Sequence, residues 1–213
     1  MDKILSEKIF KNSIYLSIVW LILLTPLIKF LPDYLAYENS LVENTQILLL
    51  FIGMLMAAYN SKNFKNIQMK RAWLSVCLGF ILMIGRELSW GRVFFQCGFN
   101  EYGYPVFYDM KDIPGHELIN IVIGIFLIVT VLGVIFYFPW KKIIHALPKK
   151  HVFLLLIFLL ITFCENHVGL TTAGEKIKME ELAEVGFYFM LDIIILYYSK
   201  YFSLLEGKFS TRH

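Results

Sequence analysis

Glu181, Glu184, Tyr188 and Asp192 follow one another at steps of three, four and four residues. At 3.6 residues per turn, those steps keep all four side chains on one narrow stripe of a helix. The stripe rises roughly 16 Å from Glu181 to Asp192, reaching about halfway through the hydrocarbon core of a bilayer. An ionised carboxylate facing lipid at that depth costs about 2.5 kcal/mol or more. These acids must therefore face the interior of a helix bundle, be paired, or carry a proton. Four other segments offer partners: Glu43 with Gln46 at i,i+3, Arg86 and Glu87 followed by Ser89, Trp90 and Arg92, His116 with Asn120 at i,i+4, and Thr162 with Glu165 and His167.

Two chemistries fit these residue types. In the first, carboxylates and imidazoles hold a divalent metal, with Glu87, His116, Glu181 and Glu184 as the expected ligands. Mixed oxygen and nitrogen donors suit Zn, Mn or Fe, and a bound ion would activate water against an ester, amide or phosphate. In the second, a carboxylate and His116 act as general base and acid without metal. The expected catalytic residues are Glu87, His116 and Glu184. Glu43, Arg86, Arg92, Asn120, Glu165, His167 and Asp192 are expected to support them. No H-E-x-x-H is present, Glu165 to His167 is a weak E-x-H match, and no G-x-S-x-G surrounds Ser89. The plainer alternatives are that Glu87 pairs with Arg86 or Arg92 as a structural bridge, and that Glu180 is a first-turn residue favoured by the helix dipole. His145 and His151 read as interfacial, beside lysines.

The elements that position these groups are apolar helices. Hydrophobic residues make up 58% of the chain and the mean hydropathy is +0.62, more than a soluble domain needs. Several runs approach the ~20 residues that span a bilayer. The expected fold is all-α: a single transmembrane domain over 1–213, with six spans near 13–31, 42–59, 72–95, 118–138, 151–164 and 181–198. The first run is long for a signal peptide and lacks an A-x-A cleavage pattern, so it reads as a retained helix kinked at Pro26. The 96–115 connection, with its Gly, Tyr and Asp residues, is the longest loop and reads as a candidate lid. Cys77, Cys97 and Cys164 are too few for a disulfide framework or a thiolate metal site.

Lysines and arginines alternate between connections. Lys3, Lys8 and Lys11 precede the first span; Lys62, Lys65, Lys70 and Arg71 follow the second; Lys141, Lys142, Lys149 and Lys150 follow the fourth; Lys200, Lys208 and Arg212 lie in the tail. The segment 32–41 has none. The positive-inside rule then predicts both termini in the cytoplasm and a multi-pass protein of a bacterial inner membrane. The acids gather on the opposite, periplasmic side. The net charge of +3 is spread over several loops and gives no reason to expect nucleic acid.

Gly85-Arg86-Glu87-Leu88-Ser89-Trp90-Gly91-Arg92-Val93-Phe94 resembles a motif of uncharacterised bacterial polytopic membrane proteins that reads G-E-E-I-S-W-G-Q-R-I-F. The segments 37–43 and 180–184 are similar to that group's E-D-G-x-x-E and E-E-x-x-E helix openings. His116 with Asn120 loosely matches its histidine-asparagine segment. Here Arg86 replaces the first acid, and Arg92 stands where the group has Gln. The resemblance implies a shared site and no particular activity. Ceramidase-like membrane hydrolases are an analogy at the level of fold only.

Three functions follow as expectations. The first is metal-dependent hydrolysis or group transfer on a lipid or envelope substrate. The second is a non-enzymatic sensor or complex subunit, of the stress or phage-defence type, that signals to a cytoplasmic partner. The third is proton- or ion-coupled transport along the Glu184–Asp192 stripe. The lipid bilayer is the expected partner, joined in the second reading by a cytoplasmic protein; anionic headgroups suit the basic loops, and a homo-oligomer is compatible with all three.

Overall fold

The computed structural model describes residues 2–36, 40–99, 105–163 and 173–210. Seven α-helices dominate them: α1 Asp2–Phe30, α2 Leu41–Asn63, α3 Ile67–Glu87, α4 His116–Tyr137, α5 Trp140–His145, α6 Lys149–Phe163 and α7 Ala173–Ser210. Five carry stretches long and apolar enough to cross a membrane: Lys8–Phe30, Leu41–Asn63, Ile67–Glu87, His116–Tyr137 and Gly174–Glu206. The fold is thus a multi-pass helical bundle. The expected fifth span, 151–164, corresponds to α6, whose 15 residues rise only about 22 Å. That is short of the ~30 Å hydrocarbon core.

Side-chain caps mark the starts of α2 and α3. Ser40 caps α2 by accepting the Glu43 N–H at 3.2 Å. Asn66 caps α3 by accepting from Gln68 and Met69. Such caps satisfy donors that the first turn leaves without partners. The first helix runs unbroken through Pro26. The expected third span does not reach residue 95. After Glu87 the chain enters a 3-10 segment, Ser89–Phe94, in which Ser89, Trp90 and Gly91 have φ of 45°, 54° and 91°. Consecutive left-handed residues cannot continue a right-handed helix. The turn folds the Trp90 ring back against Gly85, where any Cβ would overlap it.

The expected 96–115 loop contains a small antiparallel hairpin, β1 Gln96–Phe99 with β2 Pro105–Phe107, bulged between Gln96 and Gly98. Cys97 in it is a free, exposed thiol. Cys164, with Glu38, Glu101, Glu165 and His167, lies outside the described residues.

The long α7 is the axis of the bundle. It packs on α1, α2 and α6, while α3 packs on α2 and α4 on α3. One apolar cluster joins Leu50, Phe80, Tyr188 and Phe202. A second joins Leu24, Leu154, Phe158, Leu182 and Met190. Three glycines allow close helix approaches: Ser75 crowds Gly133, Phe80 and Asp192 crowd Gly53, and Phe158 crowds Gly186. The outer face of α4 leaves Leu118, Ile125, Ile128 and Phe136 exposed, as lipid contact requires. His151, near the start of α6 beside Lys149 and Lys150, packs inside the bundle. It is buried, its Nε2 lies 2.9 Å from the Phe10 carbonyl and 3.1 Å from Ser13 Oγ, and its ring stacks on Phe10.

Candidate functional site

The start of α2, the end of α3 and the first half of α7 meet at the acidic end of the bundle. Tyr188 donates its hydroxyl proton to Glu87 Oε1 at 2.6 Å, and Arg86 Nε donates to the same oxygen at 3.2 Å. The other arm of the Arg86 guanidinium pairs with Glu184. A continuous chain, Glu184–Arg86–Glu87–Tyr188, thereby ties α3 to α7. Arg86 is 60% exposed, whereas both carboxylates are buried. The cation is the exposed member of this chain, with the acids beneath it.

Beside that chain, Gln46 is completely buried. Its amide nitrogen donates to the Glu181 carbonyl and to Glu181 Oε2, both at 2.9 Å. Its Oε1 has no hydrogen-bond partner among the described residues. Glu43 is buried in the first turn of α2, and Glu181 lies within electrostatic reach of Glu43, Glu87 and Glu184.

Asp192 sits one turn below Tyr188, about 6 Å along the helix. It is 7% exposed and rests against Gly53 and Phe80. Neither carboxylate oxygen has a hydrogen-bond partner among the described residues. Nearly all buried polar groups find one; Gln46 Oε1, Trp73 Nε1 and Thr130 Oγ1 also lack one among the described residues, but Asp192 is the only acid there with both oxygens unpartnered.

Several expected members stand apart. His116 is half-buried at the first residue of α4, after left-handed Gly115, and Asn120 is exposed on that helix. Neither side chain bonds to the carboxylates among the described residues, and α4 reaches the bundle through α3. Arg92 is half-buried in the turn after α3 and has an interaction of its own. Among the described residues, no group of three or more His, Cys, Asp and Glu side chains is arranged to hold a metal ion. The expected ligands Glu87, His116, Glu181 and Glu184 do not form such a group.

Sequence reasoning overlooked two contributors. Tyr188 was visible on the acid stripe, but its role as the donor to Glu87 depends on α3 being its neighbour. Lys178, not singled out in the sequence, lies within α7, buried, and donates to the Leu31 carbonyl at 2.9 Å. No family model, curated protein or solved structure matches the chain.

Proposed function

We propose that this is a proton-coupled protein of the bacterial inner membrane, in which Asp192 takes up and releases a proton. The Tyr188–Glu87–Arg86 chain forms its connection to the acidic, periplasmic face. The observation that carries the reading is Asp192 itself, a buried acid at mid-helix whose two oxygens have no hydrogen-bond partner among the described residues. An ionised, unpaired carboxylate is expensive in that setting, so the neutral acid is the form the packing accommodates. Acids placed so deep in membrane helices mark proton relays and ion paths. Tyr188 and Glu87, already hydrogen-bonded at 2.6 Å, supply groups that exchange protons one turn above it.

The topology in this reading is six crossings with both termini in the cytoplasm. Two features support α6 as the fifth crossing. Phe10 stacks on both His151 and Tyr197, and Phe158 sits over Gly186. The helix thus descends antiparallel to α7 from the lysine-rich end. The Lys and Arg alternation supports the orientation.

Infrared difference spectra of reconstituted protein between acidic and alkaline buffer test the central claim. A carboxylic-acid band should appear and vanish in the Asp192→Asn variant, together with proton uptake by proteoliposomes. If Asp192→Asn leaves the spectra and the uptake unchanged, the reading fails. Metal-dependent hydrolysis or transfer would draw on Glu43, Glu87, Glu181 and Glu184; the other three lie within electrostatic reach of Glu181, but the four form no metal-holding group among the described residues. Stoichiometric metal in the purified protein, lost in Glu87→Ala, would favour that chemistry instead.

A further inference from the structure

A groove of about 630 Å³ lies at the lysine-rich end, between α1, α2 and α7. Its floor on α7 runs from Ile193 to Glu206, about 20 Å of helix rise. That matches the depth of one leaflet with its headgroups, roughly half of 40–45 Å. The deep part is apolar, walled by Ile193 and Leu196. Tyr59 and Leu204, also in the lining, are 70% and 62% exposed, so the groove is open along its length.

The shallow part is polar and basic. Lys200 lines it with Asn63 and Ser203. Exposed Lys8, Lys62 and Lys65 directly adjoin the lining residues Ile9, Asn63 and Phe64. Glu206 also lines it, but its Oε1 accepts the Lys65 and Asn66 backbone N–H groups, each at 2.9 Å. An apolar trough one leaflet long, with Lys200 in its polar end and three exposed lysines next in sequence to its lining residues, has the shape and charge of a lipid site.

We propose that this groove holds an anionic phospholipid of the leaflet on the lysine-rich side. One acyl chain lies along α7 towards Ile193, and the phosphate sits at Lys200. The inference does not depend on Asp192 or on proton coupling.

Native mass spectrometry of the full chain, released from micelles containing phosphatidylglycerol or phosphatidylcholine, tests it. The wild type should retain phosphatidylglycerol preferentially, and excess inorganic phosphate should not displace it. Lys200→Gln should reduce that preference about fivefold, the effect of one lysine near an anionic headgroup. Ser203→Phe, which fills the trough at an exposed position, should lower retention of both lipids. Unfolding of each variant in detergent, matching wild type, keeps the comparison fair. Equal retention of the two lipids by the wild type would overturn the proposal. So would wild-type behaviour of both variants, or a dimer that Ser203→Phe disrupts while lipid retention stays constant.

Discussion

Tyr188→Phe removes one oxygen from the link between α3 and α7. The lost bond is short, 2.6 Å, its acceptor is a carboxylate, and both residues are buried, at 3% and 8% exposure. Hydrogen bonds to charged groups contribute about 1.5–3 kcal/mol. Glu87 keeps its contact with Arg86, so its carboxylate is not left without a donor, and the lower part of that range applies, about 1.5–2 kcal/mol. For a chain of this size each kcal/mol moves the thermal midpoint by about 2–4 °C. The expected drop is therefore roughly 3–8 °C in detergent micelles, followed by intrinsic fluorescence. Glu87→Ala with Tyr188→Phe completes a double-mutant cycle in which each single change removes the bond, and groups in direct contact should couple by about 0.5–3 kcal/mol. Tyr59→Phe, at a 70% exposed site, is the silent control. The reasoning is refuted if Tyr188→Phe unfolds within about 0.5 kcal/mol of wild type, the range of surface changes, or if the two substitutions are additive.

Further consequences concern packing, caps and orientation. Gly186→Ala places a methyl group into the Phe158 ring and should cost about 1–3 kcal/mol in the same unfolding assay. Gly124→Ala, where nothing lies within 4 Å, should be neutral or stabilising. Glu206→Ala removes the acceptor for the Lys65 and Asn66 N–H groups, and a loss of about 1 kcal/mol is expected, as for other side-chain caps. In a Cys164→Ser background, a membrane-impermeant maleimide should label exposed Cys97 from the periplasmic side of intact spheroplasts. Labelling only after lysis would reverse the proposed orientation.

The acid stripe on α7 was legible because its cause is local. Helical periodicity alone puts Glu181, Glu184, Tyr188 and Asp192 on one face, and lipid alone forbids that face from pointing outward. The third helix was misjudged at its end for an equally physical reason. Residues 86–95 contain no proline, so nothing in the hydropathy pattern announces the left-handed run at Ser89, Trp90 and Gly91. That turn is held by the packing of Trp90 on Gly85. His116 was grouped with the carboxylates because it lies at the same end of the membrane. Depth follows from sequence, but the position of α4 around the bundle does not, and it packs on α3.

The sequence by itself determined that this chain is a set of long apolar helices with its acids gathered at one end. Length, periodicity and the transfer of side chains into lipid act residue by residue, and each can be read without knowing a neighbour. Only the tertiary structure decided which charges meet. Arg86 is shared between Glu87 and Glu184, Gln46 holds Glu181, and Asp192 is enclosed against Gly53 without a hydrogen-bond partner among the described residues. Those outcomes depend on how closely helices approach and in what register. The glycines and aromatic rings between them set both across sequence separations of 27 to 139 residues, from Gly53–Phe80 to Gly53–Asp192.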